Sequence, residues 1–348
     1  MARQNVGKAI SRFFRKHRDR RYIYRRCLTR DYYFSLETTR LLSSRGIIEN
    51  CDIHADIPMS SMADENYVRS IPERCALLPV DNNPISIYLC TDSIALFIET
   101  VLVEVRRPFI LVTGDSDLPV NHVAIAKIDE LLSNPFLLKW FAQNLEYRHP
   151  KAEPMPIGLD FHSAWQDPRH YGSQHILPAF QEGELRKICR AAKKNSQRKP
   201  LVMCDWIGRS AYGDREEARH GISEAARIVP SQRLPRHQLW QEYVKYAFVA
   251  SPFGIGLDCH RTWEAIVLGC IPIVKESALT PLFEGMPVLV VESWDQITLE
   301  YLQQQQEKFA SQKFDYAKIF LTYWWGRINK GMQGQSLIST VDDMCSLV

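Results

Sequence analysis

The segment 248–294 constrains the fold more than any other part of the chain. Its sequence is FVASPFGIGLDCHRTWEAIVLGCIPIVKESALTPLFEGMPVLVVESW. A run of aromatic, β-branched and small residues is followed by a glycine loop, an amphipathic helix and two further apolar runs, a pattern that predicts a βαβ unit of a parallel sheet. Open sheets of this kind bind ligands beyond the carboxyl ends of their strands, which is where the glycine loop falls.

The loop before the helix carries three residues that suit a ligand site. Gly254 and Gly256 permit positive φ and a close approach of the backbone to a ligand. Asp258 is predicted to cap the helix N-terminus, and Gly269 is predicted to end the helix. The loop and the start of the helix therefore form the first candidate binding site.

The helix itself brings three polar side chains to one side. His260, Arg261 and Glu264 share that side, whereas the apolar residues of the helix face the sheet. A guanidinium beside the positive helix N-terminus suits a diphosphate, and a carboxylate suits a ribose diol. The alternative is a surface Arg–Glu pair and a hydrogen-bonded core histidine.

These residues also carry a family resemblance. SPFGIGLDCHRTWEAIVLGCIPIV at 251–274 and LTPLFEGMPVLVVESW at 279–294 resemble the exostosin-like glycosyltransferases, in the branch that contains the ribitol xylosyltransferase. Two weaker matches lie upstream, ILVTGDSDLPV at 110–120 and LKWFAQNLEYRHPKAEPMPIGLDFH at 138–162. The resemblance spans roughly residues 85–300. It implies an α/β, GT-B-like fold of two facing Rossmann-like domains, with a nucleotide-sugar held by the second domain and inversion at the anomeric carbon.

The rest of the chain is compatible with two such domains. We predict a basic amphipathic arm over 1–33, an acceptor-side domain over 34–168 and a nucleotide-sugar-binding domain over 169–348, with the last helices returning to the first domain. Within the first domain, the pattern predicts a helix over roughly 121–133 and a short strand over 155–159.

Two aspartates after a predicted strand are candidate catalytic residues. Asp115 and Asp117 lie in Gly-Asp-Ser-Asp. Such a pair either holds a divalent metal on a donor diphosphate or supplies the base that takes the acceptor hydroxyl proton. The second role is favoured if the donor site lies in the second domain, and plain turn chemistry is the alternative. No resident cofactor or metal is expected.

Further candidates flank other predicted strands. By the resemblance, Asp160 and His162 lie near the acceptor and are secondary candidates for the base. Arg209 and Arg215 follow the first strand of the second domain and could neutralise the leaving diphosphate. A solvated arginine in a polar loop is an equal alternative for each.

The charge distribution and the cysteines indicate which partners and which cellular location to expect. Residues 1–27 carry ten Lys or Arg and one acid, so a total of +3 leaves the remainder at −6. Such an arm suits an anionic membrane, where lipid-linked acceptors reside, and nucleic acid is a weaker candidate partner. No run is long and apolar enough to span a membrane. Nine scattered cysteines without a C-x-x-C pair predict no disulfide framework and a cytoplasmic, or peripheral inner-membrane, location.

Three other functions compete with the transferase. An NAD(P)-dependent oxidoreductase would use Gly254, Gly256 and Glu276, although Cys259 occupies the third glycine position. A glycoside hydrolase would need two carboxylates and no nucleotide unit. A non-catalytic nucleotide- or carbohydrate-binding module on the same fold is the third.

Overall fold

The computed structural model describes residues 31–80, 83–166, 175–206 and 213–330. The predicted basic arm thus lies outside the described residues, except for the first residues of helix α1 (31–37). The chain is of the α/β class, and each of its two sheets is wholly parallel, as predicted.

The first sheet has four strands in the order β1-β2-β3-β4. Its strands contribute alternate side chains to two apolar clusters, so both faces of the sheet are covered. The strands are β1 (Ile85–Cys90), β2 (Phe109–Gly114), β3 (Leu137–Ala142) and β4 (Ala152–Pro154); the helices are α2 (Ser44–Ile48), α3 (Glu65–Leu77), α4 (Ile94–Thr100), α5 (Ile128–Ser133) and α6 (Ser163–Gln166).

The second sheet has five strands in the order β6-β5-β7-β8-β9. It contains the segment that opened the sequence analysis. The strands are β5 (Lys199–Met203), β6 (Arg227–Ile228), β7 (Tyr246–Ala250), β8 (Ile271–Lys275) and β9 (Leu289–Val291); the helices are α7 (Pro178–Ala191), α8 (Arg215–Gly221), α9 (Arg236–Tyr243), α10 (His260–Val267), α11 (Leu299–Ala310) and α12 (Leu321–Lys330).

The predicted βαβ unit is confirmed. β7, α10 and β8 follow one another, and β8 pairs in parallel with both β7 and β9. α10 ends as its glycine predicts: Gly269 adopts φ +68°, its N–H bonds Ile266 O at 2.9 Å, and Cys270 N–H bonds Ala265 O at 2.9 Å. These two bonds form a Schellman cap, which needs a left-handed residue at that position.

Substitution of this glycine tests the cap. We expect Gly269→Ala to destabilise the protein by about 1–2 kcal/mol, because a Cβ disfavours left-handed backbone. Gly183→Ala is the control. Gly183 lies inside α7 with nothing within 4 Å of an added Cβ, so this variant should raise the free energy of unfolding by up to about 1 kcal/mol. Urea denaturation measures both, and equal stability of the two variants would contradict the cap.

Two local predictions in the first sheet were wrong. The helix expected over 121–133 is confined to α5, because Asn121 Oδ1 accepts the N–H groups of Val123 and Ala124 in a turn and Lys127 has φ +61°. The strand expected over 155–159 is replaced by β4, since Pro156 has no N–H to donate to a ladder.

The two sheets share one apolar core. Phe141 of β3, Val249 of β7, Trp263 of α10 and Trp324 of α12 are all buried in the same cluster. α12 packs against α2 and β1, and Arg327 at its end bonds Glu153 of β4. The last helix therefore returns to the first sheet, and the two halves are packed together.

The cysteines differ from expectation at one position. Cys189 takes part in a disulfide, whereas Cys51, Cys75, Cys90, Cys204, Cys259 and Cys270 are free thiols. In the described part of the chain, no helix is both long and apolar enough to cross a membrane.

Candidate functional site

A cavity of about 400 Å³ lies between the two halves, at the carboxyl ends of β5, β6 and β7. Its position agrees with the expected location of ligands in open α/β sheets. Five of the sequence candidates line it: Asp160, Arg215, His260, Arg261 and Glu264. Other lining residues are Asp205, Trp206, Gln232, Arg233 and Arg236.

Arg261 is held in place by the residues that follow β5. Its Nε donates to Asp205 Oδ1, and its guanidinium lies 5.9 Å from the centroid of the Trp206 ring. Burial lowers the pKa of Arg261, but the Asp205 carboxylate together with Tyr243 and Cys259 outweighs burial and holds that pKa above its ordinary value. Arg261 is thus a fixed cation in the cavity wall, one residue into α10.

Both carboxylate oxygens of Glu264 accept hydrogen bonds. Its Oε1 accepts Arg236 Nε at 3.0 Å, and its Oε2 accepts Trp240 Nε1 at 3.1 Å. Arg236 also donates to the backbone oxygen of Asp160 in the other half of the molecule. Glu264 thus holds Arg236 in place in addition to lining the cavity, a role that the sequence did not predict.

Arg215 differs from the other arginines of the wall. Its Nε is fully buried and has no hydrogen-bond partner, and no ion pair is seen for Arg215 among the described residues. One terminal nitrogen lies 3.2 Å from where a Cβ of Gly254 would stand. A buried guanidinium nitrogen without an acceptor is costly unless a ligand satisfies it. Gly254 does not adopt positive φ, and its missing side chain leaves room for the end of the Arg215 side chain.

Gly256 and Asp258 join the two halves. Gly256 has no positive φ either; a Cβ there would meet Asn144 Nδ2 at 2.6 Å. The N–H of Asp258 donates to Asn144 Oδ1 at 3.0 Å, and its Oδ2 accepts Ile157 N–H at 2.7 Å. Neither residue lines the cavity.

Asp258 is not the helix cap that the sequence predicted. Cys259 holds the N-cap position and makes no side-chain capping bond, whereas the Asp258 carboxylate accepts Trp263 Nε1 at 3.0 Å. Burial raises the pKa of Asp258 to about 6. The correction follows from tertiary structure, since the carboxylate is drawn to donors of the other half and to a core indole.

His260 presents one ring nitrogen as an acceptor. Its Nδ1 lies 2.6 Å from Gly158 O, and because a carbonyl only accepts, Nδ1 carries the proton. In this tautomer Nε2 carries the lone pair. His260 lines the cavity, and the His162 ring centroid lies 6.2 Å from its own.

Asp160 supplies a carboxylate from the other half of the molecule. Its Oδ1 accepts Ser163 N–H at 2.8 Å and lies 3.3 Å from His162 Nδ1. Burial lowers the pKa of His162, so its ring is neutral near pH 7. Asp160 thus lines the cavity from the first half, with its Oδ2 3.9 Å from an Nη of Arg236, whereas His162 is not among the lining residues.

Asp115 and Asp117 are not brought to this cavity. Asp115 has φ +56°, and its carboxylate pairs with Arg45 at 3.0 Å while accepting Ser60 Oγ–H at 2.9 Å. Both members of this ion pair are 3% exposed. Asp117 is exposed.

The buried pair makes a stability prediction. Asp115→Asn should destabilise the protein by about 3–5 kcal/mol, because it leaves the Arg45 charge buried without its counter-ion. Asp117→Asn, at an exposed position two residues on, should stay within about 0.5 kcal/mol of wild type. Urea denaturation of both variants is the measurement. A fully stable but inactive Asp115→Asn protein would make Asp115 catalytic instead.

The residues that a dinucleotide site would use do not lie in one cavity. Glu276 lies apart from Gly254, in a wide groove of about 970 Å³ with Tyr147, His149 and Glu292. Among the described residues, no group of three or more His, Cys, Asp or Glu side chains is placed to hold a metal ion.

Sequence reasoning missed Asp205, Trp206 and Arg236. The first two directly follow β5, so the strand-end rule that selected the glycine loop could have found them. No local signal marks Arg236, whose partner Glu264 lies 28 residues further along the chain. Arg209 lies outside the described residues.

Comparisons with known proteins give little further information. No protein-family model and no curated protein matches the sequence. Among solved structures, the chain is similar to an α,α-trehalose-phosphate synthase (UDP-forming) from Burkholderia vietnamiensis: identity is 12%, the TM-score is 0.36, and 71% of this chain and 73% of that one are covered. The chain is also similar to an α,α-trehalose 6-phosphate synthase from Burkholderia multivorans: identity is 13%, the TM-score is 0.39, and 81% of this chain and 76% of that one are covered. At identities and TM-scores this low, structural likeness supports no inference about activity.

Proposed function

We propose that the protein is a glycosyltransferase that uses a nucleotide-sugar donor. The observation that carries this proposal is the unpartnered, buried Nε of Arg215 in a cavity that also holds Arg261 beside the N-terminus of α10. Two guanidinium groups and a helix N-terminus favour a diphosphate. Two packed halves with parallel sheets and a cavity between them suit an arrangement of the GT-B type.

The reaction needs a carboxylate opposite the diphosphate. In an inverting transfer, a base removes the acceptor hydroxyl proton while its oxygen attacks the anomeric carbon, and the bond to the nucleoside diphosphate breaks on the opposite face. We propose Asp160 as this base, and its position in the cavity wall on the side of the first half supports the proposal. Arg215 and Arg261 would offset the charge of the departing diphosphate.

The neighbouring side chains would hold the proposed base in position. Glu264 and Trp240 hold Arg236, which bonds the backbone of Asp160. His260 would direct its Nε2 acceptor towards a sugar hydroxyl. Asp115, one of the two aspartates that the sequence offered as the base, would support the fold through Arg45.

The finer assignment rests on the family resemblance. The R-x-x-E-A-x-x-x-G-C-I-P core at 261–272 supports an exostosin-like enzyme. A UDP-sugar would then be the donor, with UDP-xylose one candidate, and a hydroxyl of a glycan or glycolipid would be the acceptor.

Donor turnover tests the proposal. The purified protein is incubated with UDP- and GDP-sugars in EDTA, and the released nucleoside diphosphate is measured with and without a panel of glycan acceptors. We expect release from one donor class, stimulated by an acceptor. Absence of release from every donor in both EDTA and Mn²⁺, together with reduction of NAD(P)⁺, would replace the transferase by an oxidoreductase.

A further inference from the structure

Two phenylalanine side chains are exposed at one place on the surface. Phe34 of α1 is 71% exposed and Phe180 of α7 is 62% exposed. Their helices adjoin, because the N–H of Ala179 donates to Ser35 Oγ at 3.0 Å. Exposed aromatic rings brought together from two helices commonly mark an interaction surface.

The outer side of α7 continues this surface with basic residues. Lys187 follows Phe180 by seven residues, so both lie on one side of the helix, and Arg190 comes one turn later. The Lys187 side chain is 78% exposed, and Arg190 is also exposed. We name Phe34, Phe180, Lys187 and Arg190 the aromatic–basic face.

The charge of this region contrasts with the rest of the folded chain. Residues 184–199 contain seven Lys or Arg and one acid, Glu184, although the chain beyond residue 27 has a net charge of −6. Glu184 is half-buried and lies 3.8 Å from Lys187 Nζ, and Asp31 and Glu37 are exposed acids of α1, each three residues from Phe34. The basic residues of 184–199 outnumber these three acids, so the charge of the region favours an anionic partner.

We propose that the aromatic–basic face docks on an anionic lipid bilayer. At a bilayer surface, the two phenylalanine rings can insert into the apolar acyl-chain boundary. The lysine and arginine can bind the phosphate groups of the adjacent lipid headgroups. Double-stranded nucleic acid offers the phosphates without an apolar surface. In the sequence, the basic residues of 1–27 precede α1, so the chain carries a second basic element. This inference does not rest on the proposed activity.

Vesicle co-sedimentation of the full chain tests the face. Vesicles of phosphatidylcholine alone are compared with vesicles containing 30% phosphatidylglycerol (about a third anionic lipid), at about 0.15 M salt. We expect binding to the anionic vesicles only. Phe34→Ser with Phe180→Ser, and separately Lys187→Glu with Arg190→Glu, should each lower the partition coefficient at least tenfold.

Matched variants keep the test specific. Leu77→Ser with Val123→Ser removes two equally exposed apolar side chains elsewhere, 79% and 96% exposed, and should bind as wild type does. Unchanged melting temperatures would show that all variants fold. Wild-type partition of both face variants, equal binding to neutral vesicles, or binding to single-stranded RNA without vesicle binding would each overturn the proposal.

Discussion

Arg215→Ala should lower kcat/KM for the nucleotide-sugar by about 10²–10³-fold, or about 3–4 kcal/mol of transition-state stabilisation. The guanidinium has a fully buried Nε without a partner and lies over Gly254 in the cavity, so its removal takes a cation from the diphosphate site without breaking an ion pair. Thermal stability should therefore be unchanged or slightly increased. Steady-state kinetics and a melting curve of the same preparation separate the two effects.

Arg219→Ala provides the control. Arg219 lies one turn further along α8, pairs with Glu216 and is not among the cavity-lining residues. The Arg219→Ala substitution also removes an arginine side chain from α8. It should leave kcat/KM within about twofold of wild type, since surface ion pairs contribute little. Equal losses in both variants would indicate damage to α8, and wild-type activity of Arg215→Ala would remove Arg215 from the mechanism.

Asp160→Asn should lower kcat by about 10²–10⁴-fold with the affinity for the donor nucleotide retained. The amide keeps the shape of the carboxylate and an oxygen that can accept Ser163 N–H, but it cannot take a proton from the acceptor hydroxyl. Single-turnover transfer and nucleotide titration give the two quantities. The result would place the base on the half of the molecule opposite α10.

Asp117→Asn is the matched control for the base. Asp117 was a leading candidate from sequence, yet it is exposed and absent from the cavity wall, so its amide variant should turn over as wild type does. If Asp117→Asn lost kcat while Asp160→Asn retained it, the base would lie at the end of β2, as the Gly-Asp-Ser-Asp motif first indicated. A loss of donor affinity in Asp160→Asn would instead indicate a binding role.

The sequence predicted the local structure of the site but not the pairings within it. The order β7, α10, β8 and the cap at Gly269 depend on residues within a few turns of one another, and periodicity and glycine position report these directly. His260 and Arg261 were placed at the cavity for the same reason. Their common position on α10 follows from helical spacing alone.

The partners of these side chains lie far away in the chain. Asp258 binds Ile157 across 101 residues, Glu264 binds Arg236 across 28, and Asp115 pairs with Arg45 from a helix that precedes the first sheet. An aspartate or glutamate in the sequence does not show whether its carboxylate will contact a ligand, an arginine or a core indole. Assignment of roles to Asp258, Glu264 and Asp115 therefore required the tertiary contacts.

The glycines show the same limit. A G-x-G loop after a strand predicts left-handed backbone or a ligand close to the chain, but here side chains take that space: Arg215 approaches Gly254, and Asn144 approaches Gly256. A short side chain on a neighbouring helix or strand would have given the same sequence pattern with an open loop. What fills the space beside a glycine is set by residues elsewhere.

Calorimetric titration with nucleotides tests the central claim most directly. Wild-type protein and Arg215→Ala are titrated with UDP, GDP and NAD⁺, each with EDTA and with Mn²⁺. We expect one nucleoside diphosphate to bind the wild type in EDTA, and at least tenfold more weakly to Arg215→Ala, which is about 1.4 kcal/mol. Binding of NAD⁺ alone, or of no nucleotide under either condition, would contradict a nucleotide-sugar site at this cavity.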